Sequence, residues 1–158
     1  MLIRTVTPQD IEELALLKKP KLERHHEIFR QNQLERLQQM EEGSVVYLVV
    51  EDAGKLVAHV LLRLEGMETE PGFPNINDLH VLEERRNEGI GTKLLSEAEK
   101  QMKERGYTKI SLAVNPTLNP NAKRLYEKLG YKQTETPTYL DGVYDGDEDW
   151  VVDMIKEL

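Results

Sequence analysis

The chain has no cysteine, which excludes disulfides, thiolate metal sites and a cysteine nucleophile. Any acyl transfer must then be direct or pass through another residue. Aromatic residues make up only 6% of the 158 positions, and no apolar run is long enough to cross a bilayer. The longest aliphatic-rich run is "VVYLVV", Val45 to Val50. The first residues, "MLIRTVTPQD", lack the apolar stretch of a secretory signal, so the expected location is cytoplasmic, without a membrane partner. An excess of positive charge is lacking too. The formal net charge is −8, which argues against a general nucleic-acid binder and suits a cationic small-molecule partner.

What is present is enough apolar residue, 39%, for one sizeable core, and the expected organisation is one domain over residues 1–158. "LIRTV" reads as a first strand. Thr7, Pro8 and Asp10 then sit at the N-cap, first and third positions of a helix. A second, highly charged helix is expected from about Leu22 to Met40, stopped by Gly43. "SVVYLVVED" and "LVAHVLLRLE" flank the turn "DAGK" as a hairpin. "NINDLHV", Asn75 to Val81, is the next strand. A helix to about Arg105, a strand Lys109–Val114 and a short helix from Asn119 to Gly130 follow. Two last strands, near Tyr131–Thr138 and Trp150–Lys156, enclose what reads as an acidic loop, Leu140 to Asp149, rich in Asp141, Asp145, Asp147, Glu148 and Asp149. The class is α/β with a mixed sheet.

The most informative stretch is "RNEGIGTKLL", Arg86 to Leu95. A strand runs into a helix through Gly89 and Gly91, offering little side chain. Such a turn exposes N–H groups, and a helix start favours anions. A dinucleotide fingerprint would need a third glycine where Leu94 stands, and a phosphate loop of the G-x-x-x-x-G-K-[ST] type does not fit "GIGTK".

The turn has company in a fixed order. Leu79-x-Val81 precedes R-x-x-G-x-G (Arg86, Gly89, Gly91), and N-x-x-A-x-x-L-Y-x-x-x-G-Y follows (Asn119, Ala122, Leu125, Tyr126, Gly130, Tyr131). The combination resembles the GNAT superfamily of acetyl-CoA-dependent N-acetyltransferases. The resemblance implies a mixed, mostly antiparallel sheet splayed between its fourth and fifth strands, with helices on both faces. It implies acetyl-CoA as cosubstrate and no metal. The pyrophosphate of coenzyme A would be held by Arg86, Asn87, Glu88, Gly89, Ile90, Gly91 and Thr92, and pantetheine by the Leu79–His80–Val81 backbone. Asn119 would touch the coenzyme, and Tyr126 would protonate the leaving thiolate. Glu88 departs from the family pattern, and its side chain is expected to turn away from phosphate.

The resemblance weakens at the base. Several family members carry Glu where this chain has Asn77, and Asp78 is the nearest candidate, acting directly or through water. Strand alternation groups Ile76, Asp78 and His80 on one face unless a bulge intervenes. The acceptor implied is a small cationic amine. A protein N-terminus, a lysine, or an acyl-CoA sensor without transfer are the alternatives, and a homodimer is left open.

Overall fold

The computed structural model describes residues 1–144 and 146–158. Strand β1 (Leu2–Thr5) leads through a 3-10 turn at Pro8–Asp10 into α1 (Ile11–Leu17) and α2 (Glu23–Glu41). The Asp10 carboxylate accepts the Thr7 N–H at 2.7 Å, as a residue at the third helical position should. Strands β2 (Val45–Asp52), β3 (Lys55–Arg63) and β4 (Asn75–Val81) form an antiparallel meander. Then come α3 (Ile90–Glu104), β5 (Lys109–Val114), α4 (Pro120–Lys128), β6 (Lys132–Gln133), β7 (Tyr139–Tyr144) and β8 (Asp147–Glu157). The sheet order is β1-β2-β3-β4-β5-β8-β6, with β7 on β8.

Both faces of the sheet are covered, which is why "VVYLVV" shows no polar alternation. Val46, Leu48 and Val50 pack with Ile90, Leu94, Leu95, Ala98 and Met102 of α3 on one face. Val45, Tyr47 and Val49 pack with Leu14 and Leu17 of α1 on the other. The buried α3 residues recur at helical spacing, and each is worth about 1.5–3 kcal/mol in burial.

β4 and β5 form the parallel pair, joined only at Asn75–Ser111 and Ile76–Leu112. Beyond that point β4 runs on to Val81 and β5 to Val114 without pairing across the gap. The expected splay is therefore there, with helices on both faces.

The segment read as an acidic loop is instead the hairpin of β7 and β8. Tyr139 pairs with Val151 and Tyr144 with Asp147. Tyr139, Leu140, Val143, Tyr144, Trp150 and Val151 supply strand-forming residues that outweigh the acids, and Gly146 at φ +83° makes the turn. The strand expected over Tyr131–Thr138 shrinks to Lys132–Gln133. Asp145, part of that acidic run, lies outside the described residues.

Candidate active site

The glycine turn lies directly beyond the end of β4. A 3-10 turn, Glu83–Arg85, is followed by Asn87 at φ +64° and Gly89 at φ +79°, and α3 starts at Ile90. The Arg86 N–H is already committed to the Glu83 carbonyl at 3.3 Å. The N–H groups of Asn87, Glu88, Gly89, Ile90, Gly91 and Thr92 have no hydrogen-bond partner among the described residues. Six free donors at the start of a 15-residue helix form an anion nest. A Cβ at Gly89 would meet nothing within 4 Å, so the nest is open on that side. Arg86 therefore differs from the expectation for its backbone. Its side chain, donating to the Val81 carbonyl at 3.1 Å, is what it brings to the turn.

Glu88 does turn away. Its carboxylate sits 2.8 Å from Arg85 Nε, and Arg85 also holds Asp52 at 2.9 Å. The unfavourable charge is thus drawn toward a cation beside the nest.

On β4 a bulge intervenes. Leu61 of β3 pairs with Asp78 while Leu62 pairs with Ile76, so Asn77 is an extra, exposed residue. The bulge overturns the grouping of Ile76, Asp78 and His80. Ile76, Leu79 and Val81 pack on the α3 side, whereas Asp78 and His80 face α1 and α2. The Leu79–Val81 backbone still borders the split, and the side chain of His80 points elsewhere, against the end of α1.

Asp78 sits in a cluster that the sequence did not reveal. Lys18 Nζ and Arg36 each approach its carboxylate to 2.9 Å, and His59 Nε2 lies 4.0 Å away. Arg36 also donates to the Tyr47 hydroxyl at 3.3 Å, and that hydroxyl donates to Gln33 at 2.6 Å. Burial alone would raise the Asp78 pKa. The charges of His59 when protonated, of Lys18 and of Arg36 outweigh it and hold the carboxyl well below the usual range. A carboxylate bound by two cations is a weak proton acceptor, so the geometry runs against Asp78 as the base. His59 is buried, both ring nitrogens lack partners, and burial lowers its pKa to about 3. Lys18 and Arg36 carried no sequence signal, being two of many charges on exposed helices.

Tyr126 stands on α4, partly buried against the core on the α3 side. Its ring meets Tyr131 edge-on at 5.9 Å, and its hydroxyl has no hydrogen-bond partner among the described residues. Burial raises its pKa, so the phenol is a proton donor at neutral pH. Asn119 is the N-cap of α4 before Pro120, but its side chain makes no capping bond and stays exposed.

The arrangement offers an anion nest, an open strand edge leading to it and, on α4, a phenol whose hydroxyl has no partner among the described residues. It suits a long phosphorylated ligand laid along β4, with chemistry at the split.

Comparison with known proteins identifies the family. The family model described as "Acetyltransferase (GNAT) family" matches residues 9–131. An N-alpha-acetyltransferase of Sulfurisphaera tokodaii is 30% identical over 125 residues, spanning 67% of this chain and 69% of that protein. Among solved structures, the PaiA N-acetyltransferase of Thermoplasma acidophilum in complex with coenzyme A superposes with TM-score 0.72 at 21% identity, over 99% of this chain and 98% of that one. A spermidine N-acetyltransferase SpeG chimera from Vibrio cholerae and hSSAT gives 0.77 at 21% identity, over 99% of this chain and 96% of that one. At such identities the structural likeness speaks for the fold.

Proposed function

The chain belongs to the acetyltransferase (GNAT) family and is an acetyl-CoA-dependent N-acetyltransferase; from that premise we propose that its acceptor is a small, positively charged primary amine. The observation that carries the site is the divergence of β4 from β5 beyond Ile76–Leu112, directly upstream of the free N–H groups at Asn87–Thr92.

Acetyl-CoA supplies the acetyl group as an activated thioester. The residues present fit it. The Asn87–Thr92 nest, with the Arg86 guanidinium and the Thr92 hydroxyl, binds the pyrophosphate. The unpaired edge of Leu79–His80–Val81 pairs with the pantetheine amides, and a backbone N–H at Leu79 or Val81 polarises the acetyl carbonyl. Asn119, its side chain unspent on capping, reaches the coenzyme. Tyr126 gives its proton to the departing sulfur. Asp78 anchors Lys18 and Arg36 under the acceptor side of the sheet, and the proton of the amine leaves through water at the exposed bulge beside Asn77. The enzyme works in the cytoplasm as one domain, without nucleic-acid or membrane partners.

A cationic acceptor is favoured by the hairpin. Asp141, Asp147, Glu148 and Asp149 stand on β7 and β8 with no Lys or Arg ion-paired to them among the described residues. A field of one sign there draws an ammonium toward the split. A second reading, acetylation of a protein's N-terminal amine, is favoured by the N-alpha-acetyltransferase relative. The test is thiol release from acetyl-CoA against a panel of diamines, neutral arylamines, amino acids and peptides with free N-termini. Preference for small diamines supports the first reading, preference for peptides the second, and no transfer to any amine refutes both.

A further inference from the structure

Two buried carboxylates lie outside the site as described, Asp10, which is paired with Arg4, and Asp153, which is not ion-paired among the described residues. Asp153 on β8 is 0% exposed. It stands opposite Ala113 of β5. Ile110, Leu112 and Val114 of β5, and Val152 and Met154 of β8, all pack toward α3. Alternation puts Ala113 and Asp153 on the other face, the one that also bears Asp78 across the split.

The two carboxylates differ in their company. Asp78 is neutralised by Lys18 and Arg36. Asp153 forms no ion pair among the described residues. The Tyr139 hydroxyl donates to its Oδ1 at 2.6 Å, and Oδ2 has no partner. Two further acids share its surroundings. Asp141 has a pKa raised by burial and by the nearby charges of Asp149 and Asp153. Asn115 Nδ2 donates to Asp149 at 2.9 Å. The Tyr139 hydroxyl also lies 3.9 Å from Met67 Sδ, so the segment between β3 and β4 reaches this tyrosine.

A buried carboxylate oxygen without a hydrogen-bond partner is costly, and folds place such groups where a donor arrives. Ala113, its partner on β5, offers only a methyl group beside it. We propose that Asp153 recognises the acceptor: its Oδ2 accepts a hydrogen bond from the acceptor's ammonium at the β5 side of the split, while Tyr139 fixes the carboxylate through Oδ1. Asp141 and Asp149 extend the same negative surface outward, toward the second charge of a diamine. The inference rests on the proposed amine acceptor and names the residue that selects it. Asp153 is a specificity-determining residue, and the transfer chemistry remains with Tyr126 and the β4 backbone.

The experiment uses Asp153→Asn and Tyr139→Phe in the full chain. Binding of 1,4-diaminobutane to the coenzyme A-loaded protein is measured by calorimetry, and KM and kcat are measured for 1,4-diaminobutane and for aniline, which is uncharged at neutral pH. A charge-assisted hydrogen bond lost to Asn should weaken diamine binding and raise its KM by about 10- to 100-fold. The kcat should change far less, and KM for aniline should not move. Coenzyme A affinity should be unchanged, and the melting temperature equal or higher, because a buried carboxylate oxygen without a partner has been removed. Tyr139→Phe should raise the diamine KM by a smaller factor. Unchanged diamine binding in folded Asp153→Asn overturns the proposal. So does loss of the fold in that variant, which would make the carboxylate structural. If the wild-type protein binds the diamine through Asp153 but transfers acetyl to no amine, the proposed acceptor fails and the recognition stands.

Discussion

Replacing Tyr126 by Phe separates chemistry from packing, because the structure gives the hydroxyl nothing else to do. The ring is held edge-on against Tyr131 at 5.9 Å, and Tyr131 is itself tied to Glu99 at 2.8 Å. Phe keeps that ring contact. The Tyr126 hydroxyl makes no hydrogen bond among the described residues, so none is lost. A typical hydrogen bond contributes about 0.5–1.5 kcal/mol, and here the stability change should stay within about 0.5 kcal/mol. For a chain of this size that is a melting shift of no more than about 2 °C. Loss of a general acid, by contrast, lowers the rate roughly 10²–10⁴-fold, or about 2.7–5.4 kcal/mol in the barrier. The assay is thiol release under single-turnover conditions, with coenzyme A affinity measured by calorimetry alongside. Turnover should collapse while affinity and melting temperature hold. An undiminished single-turnover rate refutes the reasoning and leaves Tyr126 as a packing residue. A melting loss of several degrees together with lost affinity refutes it differently, by showing that the hydroxyl supports the fold.

Gly89 and Gly91 should fail in different ways. Gly89 sits at φ +79°, where a side chain costs about 1–2 kcal/mol, so Gly89→Ala should lower the melting temperature by about 2–8 °C. A Cβ at Gly91 meets only Val81 Cγ2, at 3.5 Å, so Gly91→Val should fold and yet lose coenzyme A affinity by at least about tenfold, since its methyls enter the nest. Stability should also fall on acidification because of His59. Its ring is held near pKa 3 in the fold and titrates near about 6.5 unfolded, so stability is complete above that value. It is lost at up to about 1.4 kcal/mol per pH unit below it, and His59→Leu should flatten denaturant-derived stability between about pH 6 and 4. Acceptor KM should rise with ionic strength, and Asp147→Asn with Asp149→Asn should raise it further while leaving the limiting rate nearly unchanged. A KM indifferent to both would reduce the hairpin acids to solvated surface.

The family, the glycine turn and the order of elements were legible because they rest on local chemistry. Gly89 is readable because the chain must turn through a left-handed residue, and Thr7, Pro8 and Asp10 because a helix start has its own donors to satisfy. Leu79, Val81 and Tyr126 were legible as parts of spaced motifs. The acids of the hairpin misled, since a run of Asp and Glu signals a loop while Tyr139, Leu140, Val143 and Trp150 signal strands, and pairing with β8 decided between them. Asn77 gave no sign that it would be an extra residue, and that single bulge moved Asp78 away from the face of Ile76. Whether a carboxylate acts as a base depends on what stands beside it. Lys18 lies sixty positions from Asp78 in sequence, and Arg36 on a second helix, so only tertiary packing could show that Asp78 is neutralised. The same holds for Asp153. An acid in the apolar run "WVVDMI" was visible, but its free oxygen, its hydrogen bond from Tyr139 and its place beside the split arise from strands brought together in space. Local sequence sets the conformations each segment prefers; the long-range contacts set which charges meet, and those decide the chemistry.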